Sequence, residues 1–168
     1  SLKAMDISLP DDAAPVAWAL LIGGLVIFAV EYYVKGKKLP EVITWKVAVI
    51  IGLAQLIAAV FTGASRSGTT IMVAMAFGAH RKTATEFSFI LGIPTLLAAA
   101  GLEIVSAVMD PPEEPIRWDF LAIGAVVSLI TAFAAVKWLL KYVQSHTFNG
   151  FGWYRIGLGI LVILLTAK

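Results

Sequence analysis

The stretch TGASRSGTTIMVAMAFGAHRK, Thr62 to Lys82, decides how this chain is folded. Gly63 to Thr70 holds two glycines, four hydroxyl side chains and one arginine, and apolar runs lie on both sides of it. The run behind it, Ile71–Ala79, is nine residues long. At about 1.5 Å per residue it covers only ~14 Å, roughly half of a ~30 Å hydrocarbon core. A single crossing through Val47–Ala79 would also put Lys46 and Arg81 on opposite faces. The predicted arrangement is therefore a re-entrant pair, in which the chain goes in, breaks at the glycines and returns to the side it left. Irregular backbone at membrane depth is tolerated only where protein or water satisfies its N–H and C=O groups, so the break should line a polar cavity.

The rest of the chain supports a membrane setting. Of 168 residues, 60% are hydrophobic and 14% charged, whereas ordinary soluble domains are nearer half apolar and a quarter charged. The net charge of +2 gives no reason to expect nucleic acid as a partner. The absence of cysteine excludes disulfides, thiolate metal sites and a cysteine nucleophile. The sequence begins with Ser, its first Met is Met5, and no signal peptide precedes the first apolar run; a fragment or processed piece is the expectation.

Four further apolar runs, Ala13–Val30, Phe87–Leu102, Phe120–Val136 and Ile156–Ala167, reach spanning length with their flanking residues. Lys35, Lys37, Lys38, Lys46, Arg81, Lys82, Lys137, Lys141 and Arg155 fall at one set of span ends. Asp6, Asp11, Asp12, Asp110, Glu113, Glu114 and Asp119 fall at the other. The positive-inside rule places the basic set in the cytoplasm, and every loop is then consistent with four crossings plus one re-entrant hairpin. Trp18, Trp45, Trp118, Trp138 and Trp153 lie near span ends, where an interfacial aromatic belt belongs. The expected fold is all-α: a polytopic integral membrane protein with four full transmembrane helices and one re-entrant helix-loop-helix hairpin, forming a single membrane domain over residues 1–168.

The break has the chemistry of an anion site. Arg66 cannot lose its proton, costs roughly 2.5–3.5 kcal/mol at membrane depth and needs a partner. Its planar fork suits phosphate or carboxylate. Ser65, Ser67, Thr69 and Thr70 add hydroxyl donors, and Gly63 and Gly68 let backbone N–H groups approach a ligand. The helix expected to restart near Thr70 would aim its positive end at the same place. The alternative is a packing kink with Arg66 paired to a structural carboxylate. No Gly-Lys-Ser/Thr follows at Walker spacing, so this is not a nucleotide loop.

GASRSGTT (63–70), followed by RKTATEFSFILGIP (81–94), resembles the second half of the bacterial undecaprenyl-diphosphate phosphatase family, the bacitracin-resistance type. Its Gly-x-Ser-Arg-Ser-x-x-Thr motif is matched by Gly63, Ser65, Arg66, Ser67 and Thr70. Its Glu-Phe-Ser-Phe segment is matched by Glu86, Phe87, Ser88 and Phe89, and its Tyr-Arg pair by Tyr154 and Arg155. Thr62 stands where the family usually has proline. The family's first half, with a paired-glutamate motif and a hairpin carrying histidine, has no counterpart here; no Glu-x-x-x-Glu occurs, and Glu113 and Glu114 belong to an outer loop.

The resemblance implies hydrolysis of undecaprenyl diphosphate to the monophosphate and inorganic phosphate in the bacterial inner membrane, recycling the carrier lipid for peptidoglycan synthesis. It makes Arg66, Ser65 and Ser67 the catalytic candidates. Gly63, Ser65, Arg66, Ser67, Thr69 and Thr70 become the phosphate-binding set. It also implies a divalent cation, magnesium or calcium, held mainly by the missing N-terminal half, and hence an incomplete site here. The implied partners are a polyprenyl diphosphate lipid, the membrane, and the N-terminal half or a partner chain, with a homodimer as another arrangement. A flippase or carrier for an anionic polyprenyl lipid would use the same phosphate site without chemistry.

Other polar residues carry weaker signals. Thr83-x-x-Glu86 fits a capping box, while Glu86 could instead pair with or orient Arg66. Gln55 is expected to hydrogen-bond between helices or to line the site. His80 and His146 read as interfacial loop residues. Arg155 reads as a snorkelling cation at the start of the last span, with a role in the site as the alternative that its spacing does not support. Gly23, Gly24, Gly157 and Gly159 read as close-packing positions.

Overall fold

A computed structural model describes residues 14–61, 63–110 and 117–166. Asp6, Asp11, Asp12, Thr62, Glu113 and Glu114 lie outside the described residues. The described chain is all helical: α1 (Ala14–Val34), α2 (Trp45–Val60), α3 (Arg66–Ala76), α4 (Arg81–Met109), α5 (Trp118–Ser145) and α6 (Asn149–Thr166). Among these, α1, α4, α5 and α6 are long and apolar enough to cross a membrane. The chain is a multi-pass membrane protein, and α2 and α3 form the hairpin between its first two crossings.

Hydrogen bonds show that the hairpin returns to where it began. The His80 N–H behind α3 donates to the Pro40 carbonyl ahead of α2 at 3.0 Å, and the Thr83 hydroxyl donates to the Glu41 carbonyl at 3.2 Å. With sixteen and eleven residues, α2 and α3 extend about 24 and 16 Å. The turn between them therefore lies well inside a ~30 Å hydrocarbon layer. Gly63 adopts φ +90°, in the left-handed region, and a Cβ there would come within 3.0 Å of the Val16 Cα of α1. Only glycine allows both that turn and that approach without strain.

The end where the hairpin begins and finishes is tied by a carboxylate that the sequence did not single out. Glu31 near the end of α1 is buried and accepts from Arg81 Nε at 3.1 Å and Nη2 at 2.6 Å. It also accepts from the Phe148 N–H at 2.8 Å. One side chain thus joins α1, the start of α4 and the α5–α6 turn. Ile27, Val34, Ile51, Met75, Ala79, Val143 and Phe148 pack around this knot as the apolar core.

The shortest helix is the innermost. Thr70, Ile71, Met72, Ala74 and Met75 of α3 are all buried, while Leu96, Leu97 and Leu102 of α4 and Phe120, Leu129 and Phe133 of α5 face outward. An apolar exterior is what hydrocarbon as solvent demands. Helices α1 and α6 pack closely where Gly24 meets Ile156 and Gly159 meets Leu21, with small residues letting backbones approach. Gly157 and Gly23 depart from that expectation. A Cβ at Gly157 would meet open space, and Gly23 instead receives the Arg155 guanidinium.

The expected capping box does not form. Helix α4 starts at Arg81 with His80 as its N-cap residue, so Thr83 is already inside the first turn. Its hydroxyl bonds to Glu41, as above, and Glu86 is half-exposed with Lys82 Nζ at 3.9 Å. The His80–Pro40 tie, formed between segments distant in sequence, fixes the helix start earlier than the local motif suggests.

Candidate phosphate site at the hairpin turn

The hairpin turn is organised around a capped helix start. Helix α3 begins at Arg66 rather than near Thr70, because Ser65 caps it: its Oγ accepts from the Gly68 N–H at 3.1 Å. This bond leaves the Ser65 hydroxyl proton available. The first backbone N–H groups of a helix have no carbonyl partner, so the positive end of α3 lies at the turn.

Arg66 extends from that start towards α4. Its guanidinium rests on Gly92, where an added Cβ would stand 2.7 Å from Nη1 and 2.8 Å from Nη2. Counting eleven residues from Arg81 places Gly92 about 16 Å along α4, near mid-depth of a bilayer. Among the described residues no carboxylate lies within ion-pair distance of Arg66. A structural pairing with Glu86 is therefore not what holds it.

Thr70 lies on the same side of α3 but is committed elsewhere. Its hydroxyl donates to the carbonyls of Arg66 and Ser67, at 3.0 and 3.1 Å, and pairs with Ser88 Oγ at 2.5 Å. With the Thr70 proton directed at carbonyls, Ser88 is the donor between the hydroxyls. Both residues are buried. The Thr70 hydroxyl thus fastens α3 to the EFSF segment of α4, and so holds the Arg66 backbone in place.

Ser65 and Thr69 face a different neighbour. Together with Gly68, Met72, Val73 and Ala76 they line a cleft of 580 Å³ between α1 and the hairpin. Apart from Ser65, Thr69 and Arg155, its lining side chains are apolar. One residue step on a helix is about 100°, so Ser65 and Thr69 lie on the face adjacent to that of Arg66 and Thr70. The motif read as one cluster is thus divided between two faces that meet at the turn. Ser67 and Gly63 lie in the same turn segment, half-buried. Gln55 does not reach this cleft's lining; its Oε1 is buried without a hydrogen bond among the described residues.

Arg155 lies elsewhere than the snorkelling expectation put it. It does not snorkel outward. From α6 its Nη2 donates to the Ala19 carbonyl at 3.1 Å and to the Gly63 carbonyl at 3.3 Å. The side chain fits because Gly23 has no Cβ; one placed there would lie 2.6 Å from Nη2. Its Nε is buried without a partner among the described residues. The Gly23-Gly24 pair was the available signal, since a glycine facing an arginine is a slot as well as a packing surface.

A metal cluster is not among the described residues: no group of three or more His, Asp or Glu side chains converges.

Comparison with known proteins agrees with this architecture. Residues 3–161 match the family model described as bacitracin resistance protein BacA. A protein of Rhizobium etli named undecaprenyl-diphosphatase is 46% identical over 167 residues, covering 99% of this chain and 63% of that protein. Proteins of the same name from Rhizobium leguminosarum bv. trifolii and Xanthomonas oryzae pv. oryzae are each 46% identical, and the chain covers 62% and 59% of their lengths. The chain therefore spans about three-fifths of the curated relatives it matches. With the family model matched along nearly all of its length and the motif residues gathered at one intramembrane turn, the chain belongs to the BacA family of bacitracin-resistance proteins.

Proposed function

We propose that this chain supplies the phosphate-gripping half of an undecaprenyl-diphosphate phosphatase of the bacterial inner membrane. The observation that carries the reading is Arg66: a guanidinium near mid-depth of the bilayer, at the start of a helix, with no carboxylate partner among the described residues. A half-buried cation at membrane depth without a protein partner calls for an anionic ligand. A ligand reaching that depth in hydrocarbon needs an apolar body, and a polyprenyl diphosphate has both parts. The names of the similar proteins favour the same substrate.

In this reading Arg66 holds the non-bridging oxygens of the terminal phosphate, with Ser67 and the α3 N-terminus adding donors. Charge spreads onto those oxygens as the group is transferred, so fixed donors there lower the barrier. The bond between the bridging oxygen and the terminal phosphorus breaks. Water supplies the new oxygen on inorganic phosphate, and the bridging oxygen stays with the lipid monophosphate. Among the described residues no group of acidic or histidine side chains converges, so in this reading a magnesium or calcium ion would be held mainly by a second half or partner chain.

Re-entrant broken helices near the midplane are also what transporters build, which keeps a carrier of the same lipid as the second reading. The test is the fate of the diphosphate. The full natural protein in vesicles should convert prenyl diphosphate to equal amounts of monophosphate and inorganic phosphate. Recovery of intact diphosphate in the opposite leaflet, with no phosphate released, would establish the carrier instead.

A further inference from the structure

We infer that the two faces of α3 divide the diphosphate: Arg66 takes the terminal phosphate, and Arg155 with Ser65 and Thr69 takes the phosphate that stays on the lipid. The inference rests on the proposed reaction but adds a second, product-holding subsite that the GASRSGTT motif alone does not indicate.

Geometry separates the two cations. Arg66 lies over Gly92 on the α4 side of the turn, whereas Arg155 lies over Gly23 on the α1 side. Each guanidinium occupies a slot left by a missing Cβ, and each is without a carboxylate partner among the described residues. Arg155 is only half satisfied: both of its hydrogen bonds use Nη2, Nε is buried without one, and Nη1 makes none among the described residues.

The surroundings of Arg155 match a monoester better than a free phosphate. Two hydroxyl donors share its cleft. The Ser65 proton is left over from capping, and the Thr69 hydroxyl makes no hydrogen bond among the described residues. The cleft continues as an apolar channel past Ile22, Val26, Ile57, Met72 and Val73. Its 580 Å³ lies within the ~300–1,000 Å³ range of small-ligand sites. A phosphate monoester with a branched hydrocarbon tail places its anion at Arg155 and its first isoprene units along this wall. Inorganic phosphate has nothing to offer the wall. The departing product is then held by a group different from the one that positions the reaction.

Product inhibition reads this division directly. In the full natural protein, farnesyl monophosphate and inorganic phosphate are compared as inhibitors of phosphate release from farnesyl diphosphate. A hydrogen bond to a charged group contributes about 1.5–3 kcal/mol, so Arg155→Gln should raise the inhibition constant of farnesyl monophosphate roughly 10- to 100-fold. That of inorganic phosphate should move less than about threefold. Arg66→Gln should show the converse, together with a fall in kcat. Because Arg155 also ties Gly63 to Ala19, Thr69→Val gives a second reading that leaves this tie in place. It should weaken farnesyl monophosphate by about 2- to 10-fold. Unchanged monophosphate inhibition in Thr69→Val and in any folded Arg155→Gln protein would overturn the division. So would parallel loss of both inhibitors. A parent protein that releases no phosphate would instead defeat the proposed reaction, and direct binding of farnesyl monophosphate would still test the subsite.

Discussion

Gly92→Ala separates the position of Arg66 from the stability of the fold. An added Cβ would sit 2.7 and 2.8 Å from the guanidinium nitrogens and 3.2 Å from its central carbon. Ordinary carbon–nitrogen contact needs about 3.5 Å, so the guanidinium must retreat by roughly 0.7 Å. The obstructed atoms are the far end of a flexible side chain, and the α4 backbone need not move. In a helix interior, Ala is favoured over Gly by roughly 0.5–1 kcal/mol. The melting temperature in detergent should therefore hold or rise. Catalysis should respond in the opposite direction, because a misplacement of about 1 Å in a positioning group costs on the order of 100-fold. We expect kcat for phosphate release to fall about 10- to 100-fold in the full natural protein. A variant with parent-like turnover would refute the claim that the Gly92 slot fixes the guanidinium. One that loses turnover only in proportion to folded protein would refute it equally.

Other perturbations address the frame. Arg81→Ala strands the buried Glu31 carboxylate and should lower stability by about 3–5 kcal/mol, whereas a Glu31→Leu/Arg81→Met double variant should recover only part of that loss, because the buried Phe148 N–H loses its acceptor at a cost of about 1–3 kcal/mol; equal melting of Arg81→Ala and parent would show that the knot does not hold the fold. Ser88→Ala removes the donor to Thr70 and should cost about 1 kcal/mol, measured by thermal denaturation; a loss of activity without any loss of stability would assign Ser88 a role at the substrate instead. Because the chain has no cysteine, single cysteines at Lys37 and Arg117 report orientation directly. The first should be shielded from an impermeant outside reagent and the second labelled, and the reverse pattern would invert the assigned topology.

The hairpin was legible because its evidence is one-dimensional. A polar break, a nine-residue apolar run and the position of Arg81 relative to Lys46 are all local facts, and the length of a bilayer converts them into a fold. The Arg66 motif was legible for the same reason. What escaped the sequence depends on partners far along the chain. Arg155 bonds to Gly63, 92 positions away, and nothing adjacent to Arg155 distinguishes that role from snorkelling. Glu31 sits among tyrosines at a span end, as an interfacial carboxylate would, and becomes a knot only through Arg81 and Phe148. Thr83 and Glu86 carried a valid capping pattern, but the His80–Pro40 bond moved the helix start and left it unused. The division of Ser65 and Thr69 from Arg66 and Thr70 was implicit in the 100° step of a helix. It could not be drawn before the restart at Arg66 was known.

The most direct measurement is the turnover of Arg66→Ala in the full natural protein, assayed as inorganic phosphate released from prenyl diphosphate, with thermal denaturation run alongside. Removing a charge clamp from a phosphoryl transfer costs on the order of a thousandfold or more. Arg66→Ala should show a loss of that size in a protein that still melts like its parent. Turnover within about threefold of the parent, in a folded protein, would contradict the charge clamp.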